Sequence, residues 1–256
     1  MNIGGLELNK GIVYLVGSGP GDPELISVKG LRLLENADVV IYDRLVSKSI
    51  IELIPKKIEK IFAGKYPGKP HLNQDEINEL MIKEAKKGKR VVRLKSGDVF
   101  LFGRGGEEAQ ILMEAGIDYE VVPGISSAFA APAYAGIPLT HRDYASSVAI
   151  VTGHEDPTKS RNHVDWKKLA KSVDTLVIMM GVRKLETIIG SMLKGGKSPK
   201  TSIAIIESGT TKDQRVTIGI LSDIIDKARN RKVKAPAVII IGDIVKLHEK
   251  ISWLKR

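Results

Sequence analysis

Short apolar runs alternate with amphipathic stretches along most of the 256-residue chain. Ile12–Val16, Val39–Tyr42, Ile58–Ala63, Arg90–Leu94 and Tyr119–Val122 are brief, rich in β-branched residues and bounded by turn formers, the pattern of buried strands. Between them, Asn73 to Lys87 carries the plainest helical period: Ile77, Leu80, Met81 and Ala85 share one face. Asn73 is placed to cap that helix, Glu76 occupies the capping-box position and Gly88 stops it. A second helix is predicted from Gly106 to Ala115, ending at Gly116. The texture changes after Pro123, where GISSAFAAPAYAGIPLTHRDYASS is small, apolar and punctuated by proline, as expected of a tight helix and connector. Alternation then resumes, with strands at Val148–Val151, Thr175–Met179, Ser202–Glu207 and Val238–Ile241, and helices near Trp166–Lys171, Lys184–Lys194 and Ser222–Arg231. Strand–helix alternation predicts α/β architecture with substantial parallel sheet. The expected partition is an N-terminal α/β domain at 1–123, a connector at 124–146 and a C-terminal α/β domain at 147–256, with a ligand cleft between the domains.

Composition narrows the class. Hydrophobic residues at 43% and charged residues at 27% are ordinary for a globular protein and argue against disorder or a fibre. The opening MNIGGLELNKG lacks the basic-then-apolar order of a signal peptide, and no apolar run approaches the length of a spanning helix. With no cysteine, disulfides and thiolate metal sites are excluded, and a cytoplasmic location is expected. The formal charge of +10 favours an anionic partner. The basic residues are scattered, however, and only 5% of residues are aromatic, so nucleic acid and membrane surfaces are not expected partners.

Three stretches carry candidate chemistry. VGSGPGDP, residues 16–23, follows the first strand and resembles a nucleotide turn. Its glycines do not match the dinucleotide spacing G-x-G-x-x-G, and Pro20 and Pro23 remove backbone donors that a pyrophosphate needs. A plain strand-to-helix turn and a ligand loop remain equal readings. In VVIYDRLVS, Asp43 ends a buried strand, where open α/β sheets bind ligands; it is either a base or a turn cap. In RLKSGDVFLFGRGGEE, Gly97 permits close backbone approach, Asp98 is a candidate acceptor, and Glu107 and Glu108 read as first-turn helix stabilisers. His71, His141, His154, His163 and His248 show no metal-ligand spacing, so no metal is expected.

Taken in order, GSGPGDPELISVKGLRLLENADVVIYDRLVS, HLNQDEIN, VVRLKSGDVFLFGRGGEE, VVPGISSAFAAPAYAGIPLTHRD and ESGTTKDQRV resemble the tetrapyrrole methylases from about residue 11 to residue 247. YDRLVS, FGRGGEE and GIPLTHRD resemble most sharply the branch that acts on uroporphyrinogen III. The resemblance implies a homodimer of two α/β domains that uses S-adenosyl-L-methionine, releases S-adenosyl-L-homocysteine and methylates C2 and C7 to give precorrin-2. That product feeds sirohaem and cobalamin synthesis. It further implies that Asp43 is the proton acceptor and Lys65 the proton donor. Pro20, Ser96, Gly97, Asp98, Leu101, Ser126, Ser127, Met180, Gly209 and Ala237 would contact the methyl donor. Arg44, Arg104, His141 and Arg142 would meet the substrate's carboxylates.

The chain reads Ser96-Gly97-Asp98-Val99 where family members usually read GGDP. If position 96 requires φ > 0, serine costs about 1 kcal/mol relative to glycine. Rival readings are methylation of a later corrin precursor, methylation of RNA or a protein side chain, and a non-catalytic binding module.

Overall fold

The computed structural model describes residues 11–64, 72–154 and 164–254. The chain divides into two compact units, Met1–Ser126 and Ser127–Arg256.

The first unit is built on a five-stranded sheet in the order β3-β2-β4-β1-β5, from β1 (Ile12–Gly17), β2 (Val39–Tyr42), β3 (Glu59–Phe62), β4 (Arg90–Lys95) and β5 (Asp118–Val122). Every pairing in it is parallel. Its helices cover both faces, so the strands have no solvent side and read as continuous apolar runs. Val13, Leu15, Val39, Ile41 and Val91 face α3 (Gln74–Lys86) and α4 (Gly105–Glu114). Val16, Val40, Val92 and Leu94 face α1 (Val28–Asn36) and α2 (Lys48–Glu52). The predicted capping box is present: Glu76 N donates to Asn73 Oδ1 at 3.0 Å and Asn73 N donates to Glu76 Oε2 at 2.6 Å. Ser27 and Ser47 cap α1 and α2 in the same manner, by accepting from the backbone N–H three residues on.

The second unit has the strand order β6-β7-β10-β8-β9, from β6 (Val148–Thr152), β7 (Thr175–Met179), β8 (Ser202–Glu207), β9 (Arg215–Ile220) and β10 (Ala237–Ile241). Only β6 and β7 pair in parallel; β7–β10, β10–β8 and β8–β9 are antiparallel. The parallel pairing expected from strand–helix alternation therefore fills the first sheet but is limited to β6–β7 in the second. The reason is local. A short loop returns β8 directly into β9 with Glu207 opposite Arg215, leaving no length for a crossover helix. The strand β9 was not predicted, although Val216, Ile218 and Ile220 alternate with Thr217 and Gly219. Leu176, Ile178, Ile203, Ile205, Ile239 and Ile241 pack against α6 (Trp166–Ser172), α7 (Leu185–Lys194) and α8 (Ile224–Asn230). On the other face, α5 (Ser127–Tyr134) lies against β7 and β10. The chain closes on α9 (His248–Ile251).

Candidate active site

In the order β3-β2-β4-β1-β5, the chain leaves β1 toward β2 on one side and leaves β4 toward β5 on the other. The connections diverge to opposite faces, opening a crevice at the carboxyl ends of β1 and β4, where open α/β sheets bind ligands. The VGSGPGDP turn and the Ser96–Asp98 loop occupy these two ends. They are stitched together: Gly19 N donates to Gly97 O at 3.2 Å and Gly97 N donates to Gly19 O at 2.7 Å. The backbones meet so closely that a Cβ on Gly17 would lie 2.6 Å from Gly124 N and 2.7 Å from Gly97 O. The Ser47 hydroxyl, from YDRLVS, donates to Gly21 O at 2.8 Å and ties the loop after β2 to the same turn. The glycine turn does not lead into a phosphate-binding helix end. Pro23–Leu25 forms a 3-10 turn capped by Asp22, and the following α1 has its Gly30 N–H engaged by Ser27.

The condition under which Ser96 would be strained is not met in the Ser96–Asp98 loop. Its left-handed residue is Gly97, with φ 71°, and Ser96 is not among the described residues of positive φ, so serine there carries no such penalty. Asp98 is not a free acceptor. Its Oδ2 accepts from Phe100 N at 2.8 Å and Leu101 N at 2.9 Å, and its Oδ1 accepts from Gly124 N at 3.2 Å. The carboxylate shapes the loop that presents Leu101. Val99 is fully buried beneath FGRGG, and a Cβ on Gly105 would lie 2.3 Å from its Cγ1, so glycine is required there. Phe102 and Arg104 hold φ of 55° and 60°. Such conformations cost about 1–3 kcal/mol each and cluster at functional loops.

Asp43, at the end of β2, is the solvent face of a buried charge cluster. Strand alternation points Val91, Arg93 and Lys95 of β4 to the same side of the sheet, toward α3 and α4. Arg93 Nη2 donates to Asp43 Oδ1 at 2.6 Å, and its Nε donates to Glu108 Oε1 at 3.0 Å. Lys95 Nζ lies 2.9 Å from both Glu108 oxygens and 3.8 Å from Asp43 Oδ2. Gln74 of α3 completes the set by donating to Glu108 Oε1 at 3.1 Å. The side chains of Arg93, Lys95 and Glu108 are 2%, 4% and 0% exposed, whereas that of Asp43 is 31% exposed. Burial opposes the charge on Arg93, but Glu108 and Asp43 outweigh it and hold the guanidinium above its usual pKa. Burial, then the charge of Arg93, pushes Lys95 below the usual lysine range, and the two carboxylates only partly offset this.

The reading of Glu108 as a first-turn stabiliser is thereby corrected; it is the buried anion of this cluster, while Glu107 makes an exposed pair with Arg104. Arg93, Lys95 and Glu108 were not predicted as site residues. The available signal was two cations in a strand buried on both faces, an arrangement that requires carboxylate partners.

The remaining candidates fall as follows. Pro20 lies in the stitched turn, Arg44 is exposed beside Asp43, and Ser126 is buried at the end of the first unit. In the second unit, Ser127 opens α5. Met180 follows β7, Gly209 follows β8 and Ala237 begins β10. Because β10 runs antiparallel to both neighbours, with Val238 opposite Met179 and Ala237 opposite Glu207, these three residues share one end of the sheet. That end is also strained: Met180, Ser208 and Thr210 have φ of 55°, 47° and 67°. Gly209 is packed so that a Cβ would meet Ala131 Cβ at 2.4 Å. His141 and Arg142 sit in a turn closed by the His141–Ala145 bridge, where His141 Nδ1 accepts from Asp143 N at 3.1 Å. Lys65, His71 and His163 lie outside the described residues. Among the described residues, no three His, Cys, Asp or Glu side chains are grouped as metal ligands would be, and no helix is long and apolar enough to cross a membrane.

Comparison with known proteins joins these two units to one family. The sequence pattern of the Tetrapyrrole (Corrin/Porphyrin) Methylases matches residues 12–225. The chain is 54% identical over 241 residues to an S-adenosyl-L-methionine-dependent uroporphyrinogen III methyltransferase of Methanosarcina barkeri, covering 94% of each protein. It is 50% identical over 235 residues to a uroporphyrinogen-III C-methyltransferase of Priestia megaterium, covering 92% of this chain and 98% of that protein. Among solved structures, a uroporphyrin-III C-methyltransferase of Thermus thermophilus complexed with S-adenosylhomocysteine aligns with a TM-score of 0.80 at 38% identity, over 93% of this chain and all of that one. The chain therefore belongs to the tetrapyrrole methylases, and its two α/β units have the fold of that family.

Proposed function

We propose that the chain transfers methyl groups from S-adenosyl-L-methionine to C2 and C7 of uroporphyrinogen III, giving precorrin-2 by way of the singly methylated intermediate. Likeness to the archaeal uroporphyrinogen III methyltransferase over nearly the whole of both chains carries this reading. The donor supplies an electrophilic sulfonium methyl and leaves as S-adenosyl-L-homocysteine. The residues present suit such a nucleoside thioether. Pro20, Leu101 and Met180 offer apolar contacts, Ser96, Ser126 and Ser127 offer hydroxyls, and Gly97, Asp98, Gly209 and Ala237 belong to the strand-end segments that would carry backbone polar groups to it.

Attack by an electron-rich pyrrole carbon forms the new C–C bond as the S–CH₃ bond breaks, and the cationic ring system must then lose a proton. Asp43 takes that proton: its carboxylate is the one member of the charge cluster that reaches solvent, and Arg93 and Lys95 contact it from the buried side. A base so placed contributes about 10²–10⁴-fold, beside the larger gain from holding both reactants in attack geometry. Lys65 acts as proton donor. Arg44, Arg104, His141 and Arg142 meet the substrate's carboxylates, which also accounts for the +10 charge of a protein whose basic residues form no nucleic-acid stripe.

The enzyme works as a homodimer in the cytoplasm, without nucleic acid or membrane. Its product enters the sirohaem and cobalamin-type pathways. Anaerobic incubation with uroporphyrinogen III and S-adenosylmethionine, followed by mass analysis, should give a product with two added methyl groups; none would refute the activity. Sedimentation should give twice the chain mass, and a monomer active at all concentrations would refute the dimer.

A further inference from the structure

Glu108 lies too deep to touch any substrate, and a buried anion of this kind needs a reason. It is fully buried, on the first turn of α4, and one carboxylate takes hydrogen bonds from Arg93, Lys95 and Gln74. Arg93 spans the cluster, with Nε on Glu108 and Nη2 on Asp43, while its Nη1 donates to Ile41 O at 3.4 Å. Lys95 spans the same two carboxylates at 2.9 and 3.8 Å. The four groups carry two charges of each sign, and solvent reaches the set only at Asp43.

From this geometry we infer that Glu108 is a positioning residue for the reaction: it fixes and neutralises the Arg93–Lys95 pair, whose remaining N–H groups orient the Asp43 carboxylate toward the methylated ring. The inference rests on the proposed role of Asp43 as base. Without Glu108, two cations would share one carboxylate. Asp43 would then be drawn onto them rather than outward, and its acceptance of a proton would leave two unbalanced positive charges in a dry site. With Glu108 in place, proton uptake at Asp43 leaves one excess charge, and release of that proton to solvent restores the neutral set.

The same arrangement fixes a pH signature. The groups facing Lys95 are Arg93 on its own strand, Asp43 after β2 and Glu108 on α4, with neutral Gln74 of α3 touching Glu108. Removing the Glu108 charge takes away the closest support for the Lys95 ammonium, which burial and Arg93 already disfavour. In E108Q that proton is therefore lost at lower pH than in the wild type, and its loss leaves Arg93 alone with Asp43, so the turnover deficit should shrink as pH rises.

The test is E108Q, near-isosteric and uncharged, compared with wild type and with D43N. E108Q is expected to lose turnover by about tenfold or more with the KM for S-adenosylmethionine within about twofold of wild type. That deficit should shrink as pH rises through the lowered Lys95 titration. The double variant E108Q/K95M removes one charge of each sign and leaves Arg93 to hold Asp43, so it should turn over faster than E108Q at neutral pH and show no such recovery with rising pH. Should E108Q fail to fold, the double variant carries the test against D43N, which it should exceed in turnover. Wild-type turnover and pH profile in E108Q, or a double variant no faster than D43N, overturn the inference. If D43N itself keeps wild-type turnover, the base assignment falls and the inference with it. If D43N is slow while E108Q behaves as wild type, the base stands and only the role of Glu108 is lost.

Discussion

The two five-stranded sheets solve the same packing problem with opposite chemistry. In the second unit, the buried central strands β7, β8 and β10 present Leu176, Ile178, Ile203, Ile205, Ile239 and Ile241 to their helices, and the one carboxylate on that alternation, Glu207 at the end of β8, pairs with the half-exposed Arg215 of the edge strand. In the first, β4 places Arg93 and Lys95 on its buried face beside Val91, and Glu108 answers them from the helix above. A purely apolar strand there would pack at no electrostatic cost, and replacing buried ion pairs with hydrophobic residues is often neutral or stabilising. The charged arrangement is thus better explained by its proposed role at Asp43 than by what it does for stability. Both sheets share a simpler device at their other end. Asp38 accepts from Arg90 N at 2.7 Å ahead of β2, and Asp174 accepts from Ser146 N and Ser147 N at 2.9 and 3.0 Å ahead of β7. The difference between the units therefore lies at the carboxyl ends of the strands.

The contrast is open to direct attack. Asp43→Asn should cut turnover by about 10²–10⁴-fold while calorimetric affinity for S-adenosylhomocysteine stays unchanged; wild-type turnover would remove Asp43 from the chemistry. Lys65→Ala should slow turnover as well, and an unaffected rate would exclude it. In the second unit the expectation reverses. Ile239→Ala, at a fully buried position, should lower unfolding free energy by about 2–5 kcal/mol in chemical denaturation, with turnover per folded molecule retained. A stability change below about 1 kcal/mol would mean that the second sheet is not packed as described.

Asp98→Ala leaves three loop N–H groups without their acceptor. S-adenosylhomocysteine should bind at least about tenfold more weakly, near 1.4 kcal/mol, and unchanged affinity would show that the loop does not shape the donor site. The smallest effect concerns Asp174. Backbone bonds from Ser146, then the Ser147 hydroxyl and backbone, hold its pKa below the usual aspartate value. A lowered folded-state pKa contributes stability above the unfolded value, lost as pH falls through the folded one. Asp174→Asn should therefore be less stable than wild type at neutral pH, with the gap closing in strong acid; a gap constant with pH would refute the assignment.

Much of this architecture could be read along the chain because it depends on neighbours in sequence. The α3 capping box needs only Asn73 and Glu76, and the apolar strands announce themselves in four to six residues. Asp43, Gly97 and Asp98 were legible as strand-end residues, although which side chain touches which was not. The pairs that define the charge cluster join Arg93 to Asp43 across 50 positions and to Glu108 across 15, beyond any periodicity. The antiparallel half of the second sheet escaped for a related reason: the direction of β10 is set by its partners β7 and β8, not by its own AVIII. That direction is also what gathers Met180, Gly209 and Ala237, which resemblance named one by one, at a single sheet end.

The most direct test of the proposed reaction is to locate the transferred carbon. With ¹³C-methyl-labelled S-adenosylmethionine and uroporphyrinogen III under anaerobic conditions, NMR of the product should show two labelled methyl groups, bonded to ring carbons C2 and C7. Label at any other ring carbon, or on a heteroatom, would contradict it.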